Sequence, residues 1–426
     1  MESSLTDEMT QLARQAKQAS KALARLTTAE KNVCLEAMAQ SIRQNSDKIK
    51  EANAIDLQEA EISGLSNALL DRLRLDDQRI ESMAAGLEAI ISLQDPVGRV
   101  LDERISPNGL KLKKISVPIG VVVIIYESRP NVTADAASLC FKTGNATILR
   151  GGKEAIHSNT IISQVMVSAA CARLATFPTH AIQVVKTTNR EAIRELLSLT
   201  QFVDLCMPRG GEGLIRAVTQ CSKVPVIKHY KGVCHVYVDK EGDLEMAAKI
   251  VMNAKVQRPS TCNAMETLLV DASIAHSFLP RIVSQLAEKN VILHIDEASR
   301  EIINPASAQV VPATELDWST EYNDFIMNVK IVNGVSEAID HIGKYGSAHS
   351  DAIVTQNEST AQRFLQEVDS ASVYWNASTR FTDGGEFGMG AEIGISTDKI
   401  GARGPMGLDE LTSYKWLGLG TGQIRN

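Results

Sequence analysis

The sequence predicts an α/β protein built from two consecutive domains with parallel sheets. Short, almost continuously apolar segments, such as VVVIIYE at 121–127 and TLLVD at 267–271, alternate with amphipathic helical segments. This alternation is typical of βαβ units, whose strands are covered by helices. It occurs at about 121–228 and again at about 236–375, and 426 residues is long for one hydrophobic core. Two α/β domains are therefore expected to follow one another along the chain.

A helical block precedes the first strand, over residues 5–95. LARQAKQASKALARL at 12–26 places Leu and Ala three and four residues apart, which is the spacing of one apolar helix face. Thr27 or Thr28 is expected to cap the next helix, with Glu30 in its first turn.

Two segments outside the α/β alternation are predicted to form strands. RISPNGLKLKKI at 104–115 alternates around a Pro-Asn-Gly turn, which predicts a hairpin. The tail at 377–426 is rich in glycine and is expected to hold loops and a last strand. Both a hairpin and a terminal strand leave unpaired edges, which a second subunit can cover, so we expect an oligomer.

Composition and charge exclude several classes of function. The chain is 44% hydrophobic and 22% charged with a net charge of −7, whereas general nucleic-acid binders are basic. No run reaches the roughly 18–20 apolar residues of a membrane helix, and MESSLTDEMT carries acids where a signal peptide carries bases. The seven cysteines form no CxxC pair, which is typical of free thiols in a reducing compartment. We expect a cytoplasmic protein that binds neither nucleic acid nor membrane.

Cys262 differs from the other cysteines in its surroundings. Within QRPSTCNAME at 257–266, Pro259 should end the preceding helix, and TLLV at 267–270 begins a strand. Cys262 would then lie in a turn, where a thiol can face a cleft as a nucleophile. The other six cysteines lie in helical or apolar strand patterns that are typical of small buried hydrophobes.

No metal site is expected. His229 and His235 flank Cys234 in HYKGVCH, but this is not a known ligand spacing, and no further cluster of ligands supports it.

Two glycine-containing turns each join a strand to a helix. Gly210 and Gly211 in MPRGGEGLIRAV can present backbone N–H groups and a helix N-terminus to a phosphate, although a tight structural turn would explain them equally well. In ILRGGKEA, Arg150 and Lys153 stand where NAD-binding units often place an acid. A base there suits the 2′-phosphate of NADP, and the alternative is a pair of solvated charges.

Several long stretches together resemble the aldehyde dehydrogenase superfamily, over about residues 10–420. They are YESRPNVTADAASLCFKTGNATILRGGKEA, HYKGVCHVYVD, VQRPSTCNAMETLLV, TEYND and FTDGGEFGMGAEIGISTDKIGARGPMGL. The resemblance implies an aldehyde dehydrogenase-like fold, with a doubly wound cofactor domain, an α/β catalytic domain and a small oligomerisation element. The corresponding segments are 1–100 with 119–235 for NADP binding, 236–376 for catalysis, 101–118 with 412–426 for oligomerisation, and 377–411 as a glycine-rich return segment.

The resemblance also implies roles for individual residues. Cys262 matches the catalytic thiol of the superfamily, and Asn131 matches the asparagine that helps to form an oxyanion hole. Glu321 in TEYND matches a glutamate that touches the nicotinamide ribose.

Four further matches concern the cofactor. Arg150 falls where most members have a cofactor-contacting lysine, and Lys153 where NAD-preferring members have a ribose-binding glutamate. Gly210 and Gly211 match the turn over the pyrophosphate.

One position departs from the superfamily pattern. Many members carry a glutamate general base in an ELGG stretch, and here His229 of HYKG takes its place. Arg129, Arg258 and Arg380 are further candidates for binding substrate, because a guanidinium grips a carboxylate or phosphate with two bonds.

The branch that the motifs resemble implies NADPH-dependent reduction of L-glutamyl 5-phosphate to L-glutamate 5-semialdehyde in proline biosynthesis, through a thioester on Cys262. Association with glutamate 5-kinase, which makes the acyl phosphate, stays open. Two rival interpretations also stay open: an aldehyde dehydrogenase that forms acyl-CoA through the same thioester, and a non-catalytic protein that retains the fold.

Overall fold

The computed structural model describes residues 4–306 and 308–425, which cluster into two compact units. The first unit contains the chain up to Lys228, Met389–Gly394 and the chain from Met406 onwards. The second contains His229–Gly388 and Ile395–Pro405. The sequence placed the boundary slightly later, at 235/236, because HYKG carries no apolar pattern that assigns it to either domain.

Helices make up much of both units. The α-helices are α1 (Leu5–Leu23), α2 (Thr28–Gln44), α3 (Ser46–Ile62), α4 (Asn67–Leu73), α5 (Asp77–Ser92), α6 (Asn131–Lys142), α7 (Ile156–Arg173), α8 (Glu191–Ser198), α9 (Glu212–Cys221), α10 (Leu244–Val256), α11 (Ala275–Ala287), α12 (Glu297–Ile302), α13 (Val335–Tyr345) and α14 (Glu358–Glu367).

The strands follow the alternation expected from the sequence. They are β1 (Val100–Ile105), β2 (Lys111–Pro118), β3 (Val121–Tyr126), β4 (Ala146–Arg150), β5 (Ile182–Val184), β6 (Leu205–Arg209), β7 (Cys234–Val238), β8 (Met265–Asp271), β9 (Ile292–Ile295), β10 (Val310–Pro312), β11 (Ile326–Val332), β12 (Ser350–Val354), β13 (Ser372–Trp375), β14 (Gly394–Ser396), β15 (Gly404–Met406) and β16 (Thr412–Leu419).

The helical block of the first unit begins as the sequence predicts. Thr27 caps α2: its hydroxyl accepts the Glu30 N–H, and the Glu30 carboxylate accepts the Thr27 N–H at 2.8 Å. This reciprocal pair satisfies two N–H groups that the first turn of a helix leaves unpaired. α2 then packs against α5 and α7.

The parallel sheet of the first unit has the strand order β5-β4-β3-β6. Every residue of β3 is buried, which explains its continuous apolar run. The chain adds β4 and β5 on one side of β3 and then returns to place β6 on the other side. The carboxyl ends of β3 and β6 are therefore adjacent at a point where the strand order reverses, which is where open α/β sheets usually bind ligands.

The second unit holds a larger parallel sheet, in the order β10-β9-β11-β8-β7-β12-β13. Its main core lies where α10 and α11 cover the strands, with Val251 and Phe278 packed in the cluster that contains Leu268 and Val329. The alternation of strands and helices expected over 236–375 corresponds to this unit.

The hairpin and the C-terminal strand form a separate antiparallel sheet in the first unit, in the order β1-β2-β16. Its surface keeps apolar side chains exposed, among them Ile105 and Trp416. The Arg104 guanidinium lies 5.1 Å from the ring centre of Trp416, and the Lys114 ammonium lies 3.6 Å from that of Tyr414.

Across the described residues, no helix is both long and apolar enough to cross a membrane.

Candidate active site

The Cys262 loop, residues 257–264, joins α10 to β8 in the second unit. A turn forms as the Ala264 N–H donates to the Thr261 carbonyl at 2.9 Å. The helix ends at Val256, before Pro259, and Cys262 is half-buried. The sequence-based expectation of a turn between two ordered elements is confirmed, and the catalytic role of Cys262 stays a prediction.

The segment that leads into β7 packs against the backbone of Cys262. A Cβ atom on Gly232 would lie 1.8 Å from the Cys262 carbonyl oxygen, so only glycine fits without displacing the loop. The buried Cys234 thiol donates to the same oxygen at 3.2 Å. The main chain of the expected nucleophile is thus packed against, and hydrogen-bonded to, the segment that contains HYKG.

Glu321 is bonded to this same segment. One of its carboxylate oxygens accepts the Gly232 N–H at 2.9 Å, while the Lys231 ammonium donates to the Ser319 carbonyl at 2.5 Å. Gly232 therefore connects the Cys262 loop on one side with Glu321 on the other. The nicotinamide-ribose role of Glu321 stays a prediction.

His229 is oriented by the main chain. Its Nδ1 lies 2.8 Å from the Ile395 carbonyl, which can only accept, so Nδ1 carries the proton. The ring lies 5.8 Å from that of His349, edge to face. Burial, together with the charge of His229, lowers the pKa of His349 to about 3, so His349 is neutral near pH 7.

Arg380, just after β13, also contacts the Cys262 loop. Its Nε donates to the Gln257 side chain at 2.8 Å, and its Nη1 to the Thr261 hydroxyl at 2.9 Å. Arg258 is exposed. Burial is the largest cause that lowers the pKa of Arg380, and the positive charge of Arg258 is the second. Sequence reasoning placed both arginines among substrate-binding candidates without indicating their proximity.

A buried ion pair spans the two ends of the Cys262 loop. Lys255 of α10 and Glu266 of β8 are fully buried and lie 2.8 Å apart. Burial raises the pKa of Glu266 to about 7 against the opposing effect of Lys255, and burial lowers the pKa of Lys255. No motif in the sequence indicates this pair. Its only signals are an isolated charge near the end of a helical pattern and another charge in a buried strand.

In the first unit, several predicted residues lie at the carboxyl edge of the sheet. Gly210 and Gly211 join β6 to α9, and the Gly211 N–H donates to the carboxylate of Glu127, which follows β3, at 3.2 Å. A Cβ on Gly210 would lie 2.6 Å from the Glu127 carboxyl carbon. A side chain at residue 210 would therefore displace the exposed Glu127 side chain, and the turn presents an N–H that already binds an anionic group.

Arg150 and Lys153 occupy different environments at the same edge. Arg150 is buried, donates to the Gly151 carbonyl at 2.6 Å and to the Thr188 carbonyl at 3.1 Å, and has no hydrogen-bond partner for its Nε within the described residues. Lys153 is exposed. The neighbouring Glu154, which the sequence analysis did not single out, accepts a hydrogen bond from Ser128.

Asn131 begins α6, directly after the loop that contains exposed Arg129. Its amide Nδ2 donates to Asp135, one turn later, at 3.0 Å. Burial raises the pKa of Asp135 to about 6. Asp135 therefore orients the Asn131 amide, whose oxyanion role stays a prediction.

The other cysteines are poor candidates for a nucleophile. Burial raises the pKa of Cys34 to about 11 and that of Cys140 to about 12, and it also raises those of Cys171, Cys206 and Cys221. A thiol with a raised pKa is almost entirely protonated at neutral pH.

In the ranges 4–306 and 308–425, no three His, Cys, Asp or Glu side chains come together as a metal site would require.

Comparisons with known proteins agree with the fold and with the predicted family. The model of the aldehyde dehydrogenase family matches residues 2–311. The chain is 52% identical to a γ-glutamyl phosphate reductase of Caldanaerobacter subterraneus, over 97% of this chain and 98% of that protein. It is 53% identical to the protein of that name from Moorella thermoacetica, over 96% of this chain and 97% of the relative.

Solved structures agree as well. The crystal structure of γ-glutamyl phosphate reductase from Thermotoga maritima has a TM-score of 0.96 and 45% identity, covering 99% of this chain and 100% of the other. An acetylating aldehyde dehydrogenase from Geobacillus thermoglucosidasius, at 19% identity, shares the fold with a TM-score of 0.68, covering 99% and 98% of the two chains.

The chain belongs to the aldehyde dehydrogenase family. It is an enzyme of that family that uses a nicotinamide cofactor, and the predicted aldehyde dehydrogenase-like α/β fold is confirmed.

Proposed function

We propose that this enzyme reduces L-glutamyl 5-phosphate to L-glutamate 5-semialdehyde with release of phosphate, in proline biosynthesis. The observation that carries the proposal is the similarity, at 52–53% identity and over nearly the full length, to relatives named γ-glutamyl phosphate reductase. The half-buried thiol of Cys262, held in a turn at the start of β8, supports the acyl-transfer chemistry that this reaction needs.

The chain's own chemistry begins at Cys262. Its thiolate attacks the acyl carbon, the C–O bond to phosphate breaks, and phosphate leaves with the electron pair of that bond, giving a thioester on sulfur. The reduced nicotinamide cofactor supplies the hydride that converts the acyl group to an aldehyde. As the aldehyde forms, the C–S bond breaks and its electron pair returns to Cys262, which regenerates the thiolate.

Fixed backbone geometry favours this attack. The Cys262 carbonyl is packed against Gly232 and accepts the Cys234 thiol, so the nucleophile's main chain has little freedom to shift. Holding the reacting groups in place can lower the activation free energy by several kcal/mol, because the entropy of ordering them is otherwise lost on reaching the transition state. Donors that stabilise a developing oxyanion contribute about 3–4 kcal/mol each in other enzymes, and the oxyanion role of Asn131 stays a prediction.

We infer that the cofactor is NADPH and that the first unit binds it. In this proposal the pyrophosphate takes the place of the Glu127 carboxylate on the Gly211 N–H, at the start of α9. Lys153 is exposed at the same sheet edge, where its charge suits a 2′-phosphate. The unpartnered Nε of Arg150 offers a further buried donor.

The Lys153→Glu variant is expected to lose affinity for NADPH by about ten- to a hundredfold, with little change for NADH. A charge-assisted hydrogen bond contributes about 1.5–3 kcal/mol, and the new acid also repels the 2′-phosphate. Dissociation constants measured for both cofactors by quenching of protein fluorescence test this. Lys48→Glu makes the same charge change at an exposed position of α3 and is the control. Equal weakening of both cofactors in Lys153→Glu would show that Lys153 does not bind the 2′-phosphate.

His229 bears on the acceptor of the acyl group. Hydrolytic aldehyde dehydrogenases use a glutamate base to activate water, and His229 occupies that position here. Phosphate is already an anion and needs cationic or N–H donors more than it needs a base. We propose that His229 and Arg258 contribute to binding the substrate and its phosphate.

In the reverse direction, NADPH formation from glutamate semialdehyde and NADP is expected to stop after a single turnover in phosphate-free buffer. Adding phosphate, or arsenate as its mimic, should restore steady turnover, because it provides the missing acyl acceptor. Stopped-flow absorbance at 340 nm gives the burst and the steady rate, and the Cys262→Ser variant serves as a blank. Continuous NADPH formation with release of free glutamate would mean that water is activated after all.

We also propose that the enzyme is a cytoplasmic homo-oligomer. The sheet β1-β2-β16 supports this, since it leaves Ile105, Trp416 and Leu419 exposed on a surface that a second copy can cover. The predicted association with glutamate 5-kinase would protect the reactive acyl phosphate from water.

A further inference from the structure

The side chain of Arg380 bonds to residues on both sides of Cys262. Its Nε donates to Gln257, and its Nη1 donates to Thr261 at 2.9 Å and to the carboxamide oxygen of Asn263. Gln257 lies five positions before the cysteine and Asn263 directly after it. A single planar guanidinium therefore fixes the separation between the beginning and the end of the turn.

The contact is reciprocal. The Asn263 amide donates to the Arg380 carbonyl at 3.3 Å and to the Thr382 carbonyl at 2.9 Å, while the Thr379 hydroxyl donates to the Asn263 carbonyl at 2.8 Å. Thr379, Thr382 and Asn263 are all buried. Hydrogen bonds that run in both directions between these buried residues hold the Cys262 loop against residues 378–382 and fix their register.

Arg380 is also electrostatically coupled to the thiol. Burial and the charge of Arg258 lower its pKa, whereas negative charge on Asp383, Cys262 and Glu386 raises it. Coupling between two ionisable groups is mutual, so a guanidinium that is favoured by a thiolate favours that thiolate equally. The titratable and charged groups around the loop include Arg258, Arg380, Asp383, Glu386, Cys234, Lys255 and Glu266, and Glu321 is bonded to the adjacent Gly232.

We propose that Arg380 is a positioning residue for Cys262: it fixes the Cys262 loop and supplies the fixed positive charge that stabilises the thiolate. The catalytic use of this thiolate rests on the proposed function. The role differs from the carboxylate or phosphate binding that the sequence suggested, because the guanidinium is already bonded to Gln257, Thr261 and Asn263.

The test measures alkylation of Cys262 by neutral iodoacetamide across a pH range, in the full chain without substrate, with the modified residue identified by mass spectrometry. In Arg380→Met the midpoint of the profile is expected to rise by about one pH unit, so alkylation at pH 7 falls about tenfold. Arg380→Lys keeps the charge and should recover part of the shift. Arg363→Met removes an exposed arginine of α14 whose ion pair is with Glu367, away from the Cys262 loop in the sequence, and should leave the alkylation midpoint unchanged.

A second variant keeps the test decisive if Arg380→Met does not fold. Asp383 opposes the charge of Arg380, and its carboxylate accepts the Gly385 N–H at 2.9 Å, which asparagine can still accept. Asp383→Asn is therefore expected to lower the midpoint. If Arg380→Met folds, keeps the midpoint of the alkylation profile and raises the KM for the acyl phosphate, then Arg380 binds substrate and the proposal is overturned.

The two proposals fail in different ways. An Arg380-dependent alkylation profile in a chain that does not reduce L-glutamyl 5-phosphate would refute the proposed function and leave the thiolate inference standing. Reductase activity with an alkylation midpoint that is the same in Arg380→Met, Arg380→Lys and the unaltered chain would do the reverse.

Discussion

The Cys262→Ala variant is expected to lose reductase activity by at least about 10⁴-fold, because no other atom on the Cys262 loop can form the thioester. The fold and NADPH affinity should be nearly unchanged, since a half-buried thiol in a turn contributes little packing. The measurement is NADPH oxidation with freshly prepared L-glutamyl 5-phosphate, together with a thermal unfolding curve. Cys262→Ser keeps the shape but provides a much weaker nucleophile, and it should be almost as inactive.

Cys171→Ser is the matched control. Cys171 is also half-buried, but burial raises its pKa and it lies in the last turn of α7, so its replacement should leave turnover unchanged. Turnover near that of the unaltered enzyme in Cys262→Ala would contradict the assignment of the nucleophile.

The Gly232→Ala variant is expected to be the next most damaging change. The added Cβ would lie 1.8 Å from the Cys262 carbonyl oxygen, 2.5 Å from its carbonyl carbon and 2.7 Å from its Cα, all of them backbone atoms. The loop has to move, and a displacement of about 1 Å can cost about 10²-fold in rate. Overpacking should also lower the free energy of unfolding by about 1–3 kcal/mol. Steady-state kcat/KM and urea unfolding measure the two effects.

Gly343→Ala is the control for this change, in the same unit. Nothing lies within 4 Å of a Cβ at Gly343, which is inside α13, so alanine should be neutral or stabilise the helix by up to about 1 kcal/mol. A kcat/KM of Gly232→Ala within about threefold of the unaltered enzyme would show that the close contact does not position the nucleophile.

Local patterns explain how much of the fold could be predicted. The buried run of β3 and the capping box at Thr27 and Glu30 are each contained in a few consecutive residues, and both occur as expected. The turn around Cys262 could also be predicted, because Pro259 and the strand that follows are its sequence neighbours. Motif resemblance supplied the family, which no local pattern could.

The supporting contacts of the candidate site could not be predicted, because they join distant parts of the chain. Arg380 and Asn263 are 117 positions apart, and Gly232 and Glu321 are 89 apart. No periodicity or turn signal indicates which arginine will face which loop. For the same reason, the requirement for glycine at 232 is evident only once the Cys262 carbonyl is placed beside it.

The buried pair of Lys255 and Glu266 has a consequence for how the Cys262 loop can change over evolutionary time. Losing one partner of a buried ion pair typically costs about 3–5 kcal/mol, whereas replacing both with apolar residues is often neutral. A lineage that substitutes Lys255 alone would carry an isolated buried carboxyl beside its nucleophile until Glu266 changed too, and few descendants would survive that intermediate. The two positions should therefore be inherited together, so that descendants keep both charges or have lost both.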